Sequence, residues 1–154
     1  MAWNAKLKRA RATLDTRLAT LKPIDRFQPP AKGWIRALRN ALGLSSAQLG
    51  KILGVRSQSV DDMEKTEANG TIRLETLRRA AQALDCTLVY ALVPNASLSQ
   101  TVDNRARVLA IAALSNVAHT MALEDQSVSP NDRDEQIEDY IRSYISERDL
   151  WSDA

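Results

Sequence analysis

Residues Trp34–Lys65 read W-I-R-A-L-R-N-A-L-G-L-S-S-A-Q-L-G-K-I-L-G-V-R-S-Q-S-V-D-D-M-E-K. Three short helical patterns lie in this stretch, with a glycine at each join. Trp34, Ile35, Leu38, Ala41 and Leu42 share one helical face. Gly43 ends that helix, being free to take φ > 0. Ser45 and Ser46 are N-cap residues for a second helix with apolar positions Leu49, Ile52 and Leu53. Gly54 ends it. After Val55, Ser57 can cap a third helix reaching Lys65, with Val60 and Met63 turned inward. Gly54 permits a tight bend, and Val55 sets the two helices at the steep angle that lets the second enter a groove.

Downstream, Asn69-Gly70 is a turn signal. Thr71 opens a fourth helix with Ile72, Leu74, Leu77, Ala80, Ala81 and Leu84 as its apolar set. The next segment, C-T-L-V-Y-A-L-V-P from Cys86 to Pro94, is β-branched and aromatic and ends in proline. It reads as a strand over Thr87, Leu88, Val89, Tyr90, Ala91, Leu92 and Val93. A lone strand leaves its backbone N–H and C=O groups unpaired. Its simplest partner is the same strand of a second copy across a two-fold axis, so a homodimer is expected.

Upstream, Trp3, Leu7, Ala10, Leu14, Leu18 and Leu21 follow helical steps, and Pro23 stops that helix. Lys22 to Gly33 holds three of the five prolines and reads as a linker. Beyond Pro94, Ala96 to Gln100 reads as a loop. A helix follows around Val102 to Leu123, whose apolar run from Val108 is buried or partner-facing. A loop spans Ser127 to Asp132. The last helix has Ile137, Tyr140, Ile141, Tyr144 and Ile145 on one face and Asp134, Glu135, Glu138 and Asp139 on another. The expected organisation is therefore a basic helical arm (1–22), a Pro-rich linker (23–33), a helix-turn-helix domain with its dimerisation strand (34–94) and an acidic helical region (95–154). The fold class is mainly α.

Composition agrees. The 154 residues include only 5 Gly and 5 Pro, about half the usual share, which disfavours an all-β chain with its frequent turns. One cysteine, Cys86, excludes an intrachain disulfide and fits a reducing cytoplasm. One histidine, His119, beside one cysteine argues against a zinc site. No apolar run follows the basic N-terminus, so a secretory signal is not expected, and no stretch is apolar and long enough to span a bilayer. The net charge of +2 hides an asymmetry. Residues 1–33 hold eight Lys or Arg against two Asp, whereas residues 94–154 hold five against eleven acidic groups. Such sorting suggests a nucleic-acid contact at one end and a different task at the other. No nucleophile–base pair and no Gly-rich phosphate loop is assembled, so no enzyme, cofactor or metal is expected.

The Trp34–Lys65 block, with its L-G-V turn and a third helix containing Glu64, resembles the helix-turn-helix of the phage-repressor (Xre) family. The resemblance implies that Ser57, Gln58 and Asp62 face base edges. Gln58 has the geometry to pair with adenine, and Asp62 to accept from cytosine. Ser46, Gln48 and Ser59 are placed for phosphate contacts near helix N-termini. Arg56 and Arg73 flank the third helix as further backbone contacts. Arg39 and Glu64 match positions that form a structural ion pair in the family. One departure is the acidity of the third helix. Asp61, Asp62, Glu64 and Glu67 are offset only by Arg56 and Lys65, so the domain alone is expected to bind weakly. The basic residues from Lys6 to Lys32 could supply the missing charge.

Residues 7–98 as a whole resemble the family called mobile mystery protein A. The likeness is carried by L-D-T-R-L, P-P-A-K-G-W, the W-I-R-A-L-R-N-A-L-G-L opening, the E-A-N-G-T turn and C-T-L-V-Y-A-L-V-P. Members are encoded beside a Fic-domain protein. The implied role is an antitoxin that represses its own operon and neutralises a Fic-type toxin. The plan also looks like the HipB type of antitoxin repressor, whose dimer is sealed by an intermolecular β-sheet. The implied partners are a palindromic double-stranded operator, a second copy and a Fic-domain toxin. Two other readings stand beside it. One is a protein inhibitor that uses the helix-turn-helix as scaffold, and the other is a stand-alone phage-like regulator. Some Fic inhibitors present a [ST]-x-x-x-E-[GN] helix. Thr71…Glu75, Thr120…Glu124 and Ser143…Glu147 have the first spacing, but none is followed by Gly or Asn.

Overall fold

The computed structural model describes residues 4–120 and 130–152, with the side chains of 117–120, 130 and 131 excepted. Trp3, Leu123, Glu124 and residues 127–129 of the expected loop lie outside the described residues. The helices are α1 (Ala5–Ala19), α2 (Trp34–Ala41), α3 (Ser46–Leu53), α4 (Ser57–Ala68), α5 (Leu74–Ala83), α6 (Leu98–Thr120) and α7 (Pro130–Tyr144). Single 3-10 turns occupy Ile24–Phe27 and Asp149–Trp151. The chain divides into two compact units. One is Pro23–Leu92, and the other joins the residues up to Lys22 with those from Val93 onward.

In the Pro23–Leu92 unit each helix sends one buried apolar side chain into a common core, Ile35 from α2, Leu49 from α3, Val60 from α4 and Ala80 from α5, with Leu84 closing it and Leu38, Leu53, Met63 and Leu77 packed around them. Leu49 and Val60 are fully buried, and each such side chain contributes on the order of 2 kcal/mol through lost apolar surface. The turn between α3 and α4 is set by two glycines. Gly54 is left-handed at φ 71° and caps α3. Gly50 is needed for a different reason, because a Cβ there would lie 2.7 Å from the Val55 carbonyl oxygen. The Val55 N–H in turn donates to the Gly50 carbonyl at 2.8 Å.

Two helix starts in this unit differ from the sequence reading, and α7, starting at Pro130, takes in part of the expected Ser127–Asp132 loop. Ser57 is the first residue of α4 rather than its cap, and that position is taken by Arg56. The fourth helix begins at Leu74, not Thr71. The N–H groups of Thr71 and Ile72 both donate to the Thr66 carbonyl, at 2.8 and 3.2 Å, and hold that stretch in a turn off the end of α4. At the other end of α5, Asp85 takes φ 55°, a left-handed conformation that Asp tolerates. The Cys86 N–H then donates to the Ala81 carbonyl at 2.8 Å.

The segment Thr87–Val93, expected as a strand, has no regular secondary structure, and no strand occurs among the described residues. A ladder needs a second strand, and among the described residues none is present to pair with it. Val89 is 81% exposed, Tyr90 66% and Leu92 89%.

In the other unit, α6 and α7 pack through Val102, Ala106, Ala110, Ile137, Ile145 and Leu150. α6 starts at Leu98, inside the stretch read as a loop, because two side chains cap it. Ser97 Oγ accepts from the Gln100 N–H at 3.0 Å. The Asp15 carboxylate accepts from the N–H groups of Leu98 and Ser99 at 2.6 and 3.1 Å, and from the Ser99 hydroxyl at 2.9 Å. Residues 4–22, the described part of what the sequence reads as a separate arm, are therefore held to the C-terminal region by polar contacts. Arg11 pairs with Glu147 at 2.9 Å, the Asn4 N–H donates to Glu147 at 3.3 Å, and Lys22 Nζ donates to the Asn95 carbonyl at 3.1 Å. The basic start and the acidic end of the sequence meet in one unit.

Candidate nucleic-acid interface

α4 is amphipathic in the sense a groove-reading helix requires. Val60 and Glu64 are buried, whereas Ser57, Gln58, Asp61, Asp62 and Lys65 form a continuous exposed face. The three residues assigned to base reading, Ser57, Gln58 and Asp62, thus lie together on that face. Ser59 is half-buried at its edge. Arg56 and Arg73 are exposed at the N-caps of α4 and α5.

α3 begins with a full capping box. Ser45 Oγ accepts from the Gln48 N–H at 3.2 Å, and Gln48 Oε1 accepts from the Ser45 N–H at 2.8 Å. The Gln48 carbonyl is thereby used within the cap, which leaves its NH2 group as a donor. Ser46 donates its hydroxyl to Asp61 at 2.8 Å, so this side chain ties α3 to α4.

Arg39 and Glu64 are brought together. Arg39 Nε and Nη2 donate to the two Glu64 carboxylate oxygens at 2.6 and 3.2 Å, and Nη1 donates to the Leu44 carbonyl at 2.8 Å. Glu64 is 5% exposed. The hydrogen bond to Glu64 raises the Arg39 guanidinium above its ordinary pKa.

Glu67 has a role that the sequence reading did not find. Its carboxylate accepts from the backbone N–H groups of Trp34 and Ile35, both at 2.9 Å, and caps α2 from the far end of α4. α2 has Gly33 at its N-cap and no side-chain cap of its own. That missing acceptor was the available signal, because helix N–H groups need partners.

These contacts change the meaning of the acidic third helix. Glu64 is neutralised by Arg39, Glu67 sits on a helix N-terminus, and Asp61 accepts from Ser46. Asp62 alone of the four has a carboxylate with no hydrogen-bonding or ion-pair partner among the described residues.

The helix N-termini divide in a similar way. α1, α2, α3 and α6 have their first N–H groups met by Asn4, Glu67, Ser45 and Asp15. α4 and α5 have no side-chain cap and carry an arginine at that position instead. An open helix N-terminus favours an anion, and an adjacent guanidinium adds to that preference.

A helix-turn-helix family model matches residues 35–90. The segment is a helix-turn-helix domain. The match takes in α2 to α5 and runs into the Thr87–Tyr90 stretch, in which only Leu88 is half-buried. No curated protein and no solved structure matches the chain. No helix among the described residues is long and apolar enough to cross a membrane.

Of the three Ser/Thr-to-Glu spacings, two have their glutamates among the described residues. Glu147 is engaged by Arg11 and Asn4, and Glu75 lies in the first turn of α5. Glu124 lies outside the described residues.

Proposed function

We propose that the protein is a dimeric, sequence-specific DNA-binding repressor of its own operon, acting as the antitoxin partner of a Fic-type toxin. The observation that carries the DNA-binding part is the exposed α4 face, with Ser57 and Gln58 at an uncapped N-terminus flanked by Arg56. In this reading Gln58 reads a base edge, and Arg56 and Arg73 hold phosphates, helped by Gln48 and Ser59. The homodimer is supported by the exposure of Val89, Tyr90 and Leu92 in a segment of strand-forming composition. Pairing Thr87–Val93 with its twin would satisfy the backbone and cover those side chains. The antitoxin role and the Fic partner are supported by the resemblance of residues 7–98 to the mobile mystery protein A family.

The scaffold-only alternative drew on the acidity of the third helix. Three of its four carboxylates are occupied within the domain, which weakens that argument. A footprint on the DNA upstream of the gene tests the reading. Two protected half-sites about 34–36 Å apart, or a multiple of that, are expected for a two-fold dimer. Absence of any protected site, with a stable complex formed by the neighbouring gene product, would favour the scaffold reading instead.

A further inference from the structure

α6 has two faces. Val102, Ala106 and Ala110 are buried among α7 and the turn around Leu150. Opposite them run Thr101, Asn104, Val108, Ile111 and Ser115, all exposed, with Val108 at 56% and Ile111 at 45%. Their spacing of 3, 4, 3 and 4 residues is that of a coiled-coil seam. None of the five is charged. The two arginines nearest the seam are directed elsewhere: Arg105 Nε donates to the Leu150 carbonyl, and Arg107 pairs with Asp134 and Glu138.

We propose that this stripe is covered by the same stripe of a second copy of the chain, forming a parallel helix pair that completes the dimer interface. The inference rests on the dimeric reading given above. Three observations choose a second copy over a foreign partner. An isologous contact sets a surface against itself, so it must be free of like charge, and this stripe is. Neighbouring surfaces are not, since α7 exposes Asp134, Glu138 and Asp139. Asn104 is the one amide in the seam. It falls at a d position of the seam, and in a parallel, in-register pair it lies opposite its own twin, where each amide can both donate and accept. Finally, a two-stranded ribbon is marginal without further packing, so strand pairing at 87–93 needs additional buried surface. Only Pro94 to Ser97 separate Val93 from α6. Strands paired across a two-fold axis therefore deliver the two α6 N-termini within about 18 Å of chain from that axis.

The test uses the full chain in sedimentation equilibrium. The double variant Val108→Glu/Ile111→Glu is expected to raise the dimer dissociation constant at least tenfold with its helical circular dichroism unchanged. A wild-type dimer whose double variant associates equally well overturns this inference and leaves the dimeric reading standing. A wild-type monomer at tens of micromolar overturns both. Cross-linking gives an independent readout that does not depend on how the double variant folds. In a Cys86→Ser background, Val108→Cys is expected to oxidise to a covalent dimer and Asp103→Cys, off the seam, is not. Failure of Val108→Cys to cross-link, or equal cross-linking of the two, overturns the parallel pair.

Discussion

Glu67 occupies the space that a side chain at Gly33 would need. A Cβ on Gly33 would lie 2.6 Å from Glu67 Oε2, and Gly33 itself is left-handed at φ 82°. The close approach lets the Glu67 carboxylate reach the first N–H groups of α2. Glu67→Ala is expected to destabilise the domain by about 1–2 kcal/mol, the usual size of a lost N-cap. Glu67→Gln, which keeps an acceptor oxygen, should cost less. Gly33→Ala should destabilise through both the clash and the strained φ. Urea unfolding followed by circular dichroism measures all three, and an unchanged midpoint for Glu67→Ala would show that the cap does not hold α2.

The Arg39–Glu64 pair predicts a non-additive result. Glu64→Ala leaves a guanidinium that is 11% exposed without its partner, and loss of about 3–5 kcal/mol is expected. Replacing both residues, as in Arg39→Met/Glu64→Leu, should recover most of that loss, because no uncompensated charge remains. A double-mutant cycle in urea gives the coupling directly. Additive losses would show that the two side chains do not act as a unit.

Acid sensitivity should enter through Asp15. Partial burial raises its pKa, but hydrogen bonds from the Leu98 and Ser99 N–H groups and the Ser99 hydroxyl, with the charge of Lys22, lower it more, and the net shift is downward. A carboxylate whose folded pKa lies below its unfolded value, about 3.9, adds stability above that value. The contribution is lost as the pH falls through the folded pKa. Asp149 shifts the same way through the Ser146 hydroxyl and N–H. Asp15→Asn should therefore lower stability near neutral pH and flatten its fall below about pH 4, leaving the Asp149 part. An acid unfolding profile that is identical for the variant and the wild type would contradict the capping role.

At the DNA surface the variants should separate by kind. Gln58→Ala should cost about 1–3 kcal/mol on the specific site and little on unrelated DNA. Arg56→Ala and Arg73→Ala should weaken binding to every sequence and each reduce the salt slope by about 1. Fluorescence anisotropy at several salt concentrations distinguishes the two patterns. A Gln58→Ala loss equal on all sequences would remove it from base reading.

What could be read from the sequence was local. Gly54 beside Val55, and the helical spacing of Leu49, Val60 and Met63, identify the helix-turn-helix because turn chemistry and periodicity act over a few residues. The strand-forming composition of Thr87–Val93 was equally visible, but a ladder depends on a partner that composition does not describe. What could not be read was long-range. Glu67 meets α2 across 33 residues, and Asp15 meets α6 across 83. Neither has a local pattern. Residues 1–22 therefore looked like a free basic arm, and Glu67 looked like a charge opposed to DNA. Charge counted along the chain separated groups such as Arg11 and Glu147 that the fold brings to 2.9 Å.

The central claim, that α4 reads a specific DNA sequence, is tested most directly by one titration. The full-length protein is added to a duplex from its own upstream region and to a scrambled duplex of equal length, over a range of salt. The account predicts that both affinities fall as salt rises, while the native duplex stays tighter by about 10³-fold or more. Equal affinity for the two duplexes at every salt concentration would contradict it.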